Sequence, residues 1–264
     1  MKDQILRYLP EDHPWKDQIS WFDTIDSTNT RAKAMALAGA PHGSVLIADR
    51  QTSGRGRLGR TFLSPGGCGI YMSAILRYAC PPIELMHLTC AVGTAMCDAV
   101  ACAAGVRPGI KWINDLVIGK KKLAGILVEL VTVPGEVCAI VGIGINCCQK
   151  AEDFDPAIRD TACSLLSATG KMPDRAALAA NMVVALRRMD ETLFTGKAAM
   201  LDAYRRGCVT LGQEISLVRG DEVRHGTAVD MDDEGALLVH FCDGHTETVN
   251  SGEVSVRGMY GYIS

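Results

Sequence analysis

Aromatic residues make up only 5% of the 264-residue chain, and no two of its 11 cysteines stand in a C-x-x-C spacing. So few rings argue against an aromatic platform for single-stranded nucleic acid. The cysteines are odd in number and fall mostly inside apolar runs, as Cys90, Cys97 and Cys102 do. That pattern argues against a zinc site or disulfide framework and for a reducing compartment, the cytoplasm. Neither sign of charge dominates: 27 Lys and Arg against 30 Asp and Glu leave a net charge of -3. A globally basic nucleic-acid binder is thereby excluded, and only a local basic patch remains open. Also missing is any run of about 18 consecutive apolar residues, the length of a membrane span. Residues 1–14 lack the apolar core of a secretory signal. With 48% hydrophobic and 22% charged residues the composition is that of a globular protein.

Local patterns predict an α+β chain. Residues 1–20 read as a short arm. Asp26, Ser27, Thr28 and Asn29 offer N-capping side chains ahead of a helix over 30–40. Strands are expected over 44–49 and 69–76, separated by a loop rich in Gly and Arg, and Pro81-Pro82 opens a long helix over 83–104. Short β-branched segments at 109–112, 116–118, 123–131 and 137–145 read as sheet, and 174–195 and 198–206 as helices. Beyond Gly207, five short segments between Gly and Asp turns predict a small β-barrel. The expected domains are 1–207 and 208–264.

Four segments hold candidate chemistry. Gly54-Arg55-Gly56-Arg57-Leu58-Gly59-Arg60 contains G-x-G-x-x-G after a strand, but Ser64-Pro65-Gly66-Gly67 follows, so the helix a dinucleotide site needs is lacking. What remains is a loop whose backbone N–H groups and guanidinium forks suit an anion. Asn114-Asp115, between apolar neighbours, reads by itself as a turn. In Lys120-Lys121-Lys122, the third lysine adjoins an apolar strand and is placed to enter a cleft while the other two face water. Gly142 and Gly144 alternate along a strand, which leaves one face flat for a planar ring or for a crossing helix.

The ordered set of these segments with Ser27-Thr28-Asn29 and Gln51 resembles the biotin protein ligase family, of the type without an N-terminal DNA-binding domain. The likeness spans roughly residues 20–150. It implies a mixed β-sheet flanked by helices, a class II synthetase-like catalytic fold, with a small C-terminal Src-homology-3-like β-barrel. The activity it implies is two-step: biotin and ATP give biotinyl-5′-AMP, and a lysine of a biotin carboxyl carrier protein takes the biotinyl group. By that resemblance Ser27, Thr28, Asn29, Gln51, Gly54, Arg55, Arg57, Lys122 and Gly125 bind biotin. Arg57, Arg60, Phe62, Asn114, Lys122 and Asn146 bind ATP. Lys122, Arg57 and Asp115 are the catalytic groups, with Asp115 a ligand for Mg2+, and Arg257 is placed near the nucleotide. Residues 54–60 and Phe62 are expected to order over the ligands. Leu58 stands where some members carry another Arg, and Ile113 where a Pro is frequent. The resemblance implies no DNA and no membrane partner, and it is compatible with a homodimer. Two alternatives stay open at this point, a lipoate or octanoate ligase and a non-catalytic biotin-sensing module.

Overall fold

The computed structural model describes residues 1–219, 222–250 and 253–256. Its frame is a seven-stranded mixed sheet: β1 (Ile19–Ile25), β2 (Ser44–Gln51), β3 (Gly69–Tyr78), β4 (Gly109–Lys111), β5 (Asp115–Ile118), β6 (Lys121–Val133) and β7 (Glu136–Asn146). The order is β1-β2-β3-β7-β6-β5-β4, with β1 parallel to β2 and the other pairs antiparallel. The central strand β7 has side chains buried on both faces over Val137–Ile143, which explains its unbroken apolar run. One face packs against α3 (Leu88–Ala104) and α5 (Arg175–Thr192); the other takes α2 (Thr28–Leu37), whose Ala32 and Ala36 meet Ile75, Cys138 and Ile140. The remaining helices are α1 (Lys2–Tyr8), α4 (Leu165–Thr169) and α6 (Lys197–Gly207).

Several expectations shift. The N-terminal arm is partly helical: Ile5 on α1, with Leu9 and Trp15, enters the core, and the Tyr8 hydroxyl donates to Asp174. The polar, half-exposed face of β1 hid that strand in the sequence. Helix α2 begins two residues before the expected start, with Ser27 accepting from Thr30 N at 3.4 Å, so Thr28 and Asn29 lie in its first turn. The long helix is a 3-10 turn (Pro82–Leu85) followed by α3. Together, Pro82–Ala104 are long and apolar enough to cross a membrane by length and composition, despite lacking an unbroken apolar run; 72% of the apolar window is buried inside the fold, as befits a core helix.

Beyond α6 lies a five-stranded antiparallel sheet: β8 (Glu214–Arg219), β9 (Glu222–Met231), β10 (Leu237–Phe241), β11 (Thr246–Val249) and β12 (Glu253–Val256), in the order β11-β10-β9-β8-β12. Its buried Ile215, Leu217, Leu237 and Val239 belong to the same apolar cluster as α3 and the large sheet. Trp112 joins the two, its N–H donating to Thr210 Oγ1 and its indole Nε1 to the Gly235 carbonyl, both at 2.9 Å. Arg257 lies outside the described residues.

Candidate active site

A cavity of about 550 Å3 opens where the C-terminal ends of β2 and β7 and the start of β6 meet the N-terminus of α2 and the Gly/Arg loop. Strand β7 is its ruler. Gly142, Gly144 and Asn146 line one edge at steps of about 7 Å, two residues of extended chain.

At the first step the Asn29 carboxamide lies over Gly142, where a Cβ would stand 2.0 Å from its Oδ1. Gly142 is flanked in register by Ser73 and Leu127. Asn29 Nδ2 donates to the Leu127 carbonyl at 3.2 Å and to the Glu129 carboxylate at 3.0 Å, so Oδ1 must face the Ser73 hydroxyl, 2.6 Å away. Ser73 owns one proton and gives it to Asn29. The Thr28 hydroxyl, 2.7 Å from Ser73 Oγ and 3.1 Å from Gln51 Oε1, gives its own proton to one of those acceptors and so faces a ligand in the cavity it lines as an acceptor. Gln51 is fixed as well, accepting from Thr28 N at 2.8 Å and donating to Ser64 Oγ at 2.9 Å.

At the second step the Phe62 ring rests on Gly144, where a Cβ would meet it at 2.5 Å, and near Gly125, the cross-strand partner of Gly144. The flat strip inferred from the sequence therefore takes both a helix-borne side chain and an aromatic ring. Lys122 stands beside it. A bulge between β5 and β6 pairs Leu116 with Ala124 and Val117 with Lys122, so Leu123 and Ala124 are both buried while Lys122 reaches the cavity and Lys120 and Lys121 face water. Its ammonium is 2.7 Å from Asp115 Oδ1. Asn114 both closes the turn between β4 and β5 and faces the cavity: Nδ2 donates to the Ile126 carbonyl at 3.0 Å, and Oδ1 accepts from Arg57 at 2.9 Å.

At the third step Asn146 Nδ2 donates to the Cys163 carbonyl at 3.1 Å, and Gln149 Nε2 donates to Asn146 Oδ1 at 3.2 Å. Burial pushes the neighbouring thiols of Cys147 and Cys163 up to about 12 and about 11, so both stay protonated at neutral pH and neither is an activated nucleophile.

The Gly/Arg loop is a hairpin. Gln51 N donates to the Ser64 carbonyl, Phe62 N to Gly54 O and Gly56 N to Arg60 O, at 3.1, 2.9 and 2.7 Å. No helix follows it before β3, in keeping with the rejected dinucleotide reading. Arg55 pairs with Glu129 at 3.3 Å.

Ser27, Thr28, Asn29, Gln51, Arg55, Arg57, Arg60 and Phe62 line the cavity, as do Asn114, Asp115, Lys122, Gly125 and Asn146. Gly54 is not among its lining residues. It packs behind the hairpin, where a Cβ would lie 2.3 Å from the Phe62 carbonyl, so its place there is steric. Ser73, Glu129 and Gln149 escaped the sequence reading. Ser73 sits unmarked in an apolar strand, and only its register opposite Gly142 points to it.

The biotin/lipoate A/B protein ligase family matches residues 21–146, and the biotin protein ligase C-terminal domain matches residues 210–257. The bifunctional ligase/repressor BirA of Bacillus spizizenii is 35% identical over 227 residues, 84% of this chain and 69% of that protein. The biotin–[acetyl-CoA-carboxylase] ligase of Mycobacterium tuberculosis is 34% identical over 86% of this chain and 85% of its own length. The chain belongs to the biotin protein ligase family. Among solved structures of that family, the Aquifex aeolicus ligase in complex with biotin and ATP superposes with a TM-score of 0.76 at 31% identity, covering 90% of this chain and 98% of that one.

Proposed function

We propose that this ligase activates biotin with ATP and transfers it to a lysine of a biotin carboxyl carrier domain. The observation that carries the reading is the order of groups along one cavity: hydroxyl and amide groups around Thr28, then the Lys122–Asp115–Arg57 cluster, then the amides of Asn146 and Gln149. The first set suits a urea, because the lone pairs of Thr28 match a urea N–H. The dithiolane of lipoate and the alkyl chain of octanoate offer no such donor, which speaks against those acids.

In the first step a biotin carboxylate oxygen attacks the α-phosphorus of ATP. The bond from that phosphorus to the β-phosphate bridging oxygen breaks, and pyrophosphate leaves. Negative charge gathers between two anions, and the Lys122 ammonium with the Arg57 guanidinium lowers its cost in a partly dry site. In the second step the carrier lysine, as free amine, attacks the acyl carbon. The C–O bond to AMP breaks, AMP leaves, and the proton shed by the attacking nitrogen passes to the Asp115 carboxylate and from there to water. Asp115 is placed to hold that lysine and to exchange its pairing with Lys122 for one with the incoming amine.

Among the described residues no three His, Cys, Asp or Glu side chains converge as a metal cage. A single carboxylate such as Asp115 suits a Mg2+ ion bound mainly through substrate phosphates and water, which would screen the phosphate charge. The alternative of a biotin-sensing module is disfavoured by the Lys122–Asp115 pair, which binding alone does not require.

Biotin-dependent ATP–pyrophosphate exchange, followed by a streptavidin blot of a carrier domain, tests the proposal. Exchange with biotin but not with lipoate, and a labelled carrier, are expected. Biotin binding without exchange would return the protein to the sensing class.

A further inference from the structure

At the Asn146 end the polarity of two amides follows from a backbone group that can only accept. The Cys163 carbonyl takes a hydrogen bond from Asn146 Nδ2, which fixes the Asn146 carboxamide with Oδ1 toward Gln149. Gln149 must answer with its Nε2, so its Oε1 is directed away from Asn146. That oxygen is buried and has no hydrogen-bond partner, on a side chain only 2% exposed that lines the cavity. The side chain has a pinned base: Ser164 Oγ donates to the Gln149 carbonyl at 2.6 Å, and the amides of Cys147 and Cys148 both donate to the Cys68 carbonyl at 2.9 Å. A buried acceptor left unmet is costly, and in a substrate cavity it selects a ligand that brings a donor.

We propose that Gln149 is a specificity-determining residue for the nucleobase: its Oε1 accepts from an exocyclic amine, and it thereby favours adenine over 6-oxopurines. The inference rests on the ATP reading given above. Adenine carries an amine at C6. Guanine and hypoxanthine carry a carbonyl there, whose lone pairs would face those of Gln149, and unsubstituted purine brings no donor. A site with a buried polar group rejects analogues that leave it unpaired far more strongly than an apolar pocket does.

The test is biotin-dependent pyrophosphate exchange with ATP, purine riboside triphosphate and ITP, on the full chain and its Gln149→Leu and Gln149→Met variants. The unaltered chain is expected to prefer ATP over purine riboside triphosphate by about tenfold to a hundredfold in kcat/KM, with ITP poorer still. Both variants lose most of that preference, through a higher KM for ATP and little change for purine riboside triphosphate, while the KM for biotin holds. A merely structural role would depress both nucleotides alike and keep their ratio; that result overturns the proposal. So does an unaltered chain that uses the two nucleotides equally, a measurement that needs no variant. Absence of exchange with every nucleotide would instead strike the ligase reading itself.

Discussion

Single atoms decide much of this site. A methyl at position 142 would lie 2.0 Å from Asn29 Oδ1, so Gly142→Ala must push the carboxamide off Ser73 and free the Thr28 hydroxyl to turn. Biotin affinity in that variant is expected to fall about tenfold or more, as read by calorimetry, with the KM for ATP little affected. Lys122→Ala removes charge-assisted contacts worth about 1.5–3 kcal/mol each. That corresponds to roughly a tenfold to hundredfold loss in the rate of biotin-dependent pyrophosphate release; an unchanged rate would exclude Lys122 from the adenylation step. At this scale the sequence exposed the charged and glycine positions but concealed their partners. Lys122 and Arg57 draw notice by type and neighbourhood, whereas Asp115 reads by itself as a turn residue and enters only through the family resemblance. Ser73, Glu129 and Gln149 are ordinary residues in ordinary strands and turns, and they acquire meaning only when three strands are laid in register.

Elements were legible where a strong local pattern met a cap. Asp174 is the clearest case: its carboxylate accepts from the N–H groups of Ala176 and Ala177 at 2.9 and 3.0 Å and starts α5 one residue after the expected first position. The Tyr8 hydroxyl bond, with those backbone donors, holds its carboxyl below the ordinary 3.8. A depressed carboxyl stabilises the fold above its unfolded value, and that contribution is lost as pH falls through the folded one. Asp174→Ala is therefore expected to cost about 1 kcal/mol at neutral pH. In thermal melts the gap to the unaltered chain should narrow as pH falls below the ordinary 3.8 and close once pH has passed through the lower folded value. Elements with one polar face were harder to see. Strand β1 buries only its ends, and α1 places a single side chain, Ile5, in the core. The β5–β6 bulge was also hidden, because Lys-Leu-Ala-Gly breaks the alternation that a regular strand would show.

Across the whole molecule the two sheets share one apolar cluster, and Trp112 lines the cavity while its indole holds Gly235 of the second sheet. Calorimetry is expected to show a single cooperative unfolding transition, and Trp112→Phe to lower its midpoint while keeping it single; two separate transitions would mean that the sheets fold independently. The sequence foretold a change of character after Gly207 but not this joint, since nothing local pairs Trp112 with a residue 123 positions away. The ring of Phe62 on the Gly144 strip has a calorimetric corollary. A planar guest laid on that strip must first turn the phenyl aside, so its arrival exchanges one water-free contact for another. Uptake should then show a smaller negative heat-capacity change than the guest's own apolar area would give, and replacing Phe62 by Ala should restore the larger value.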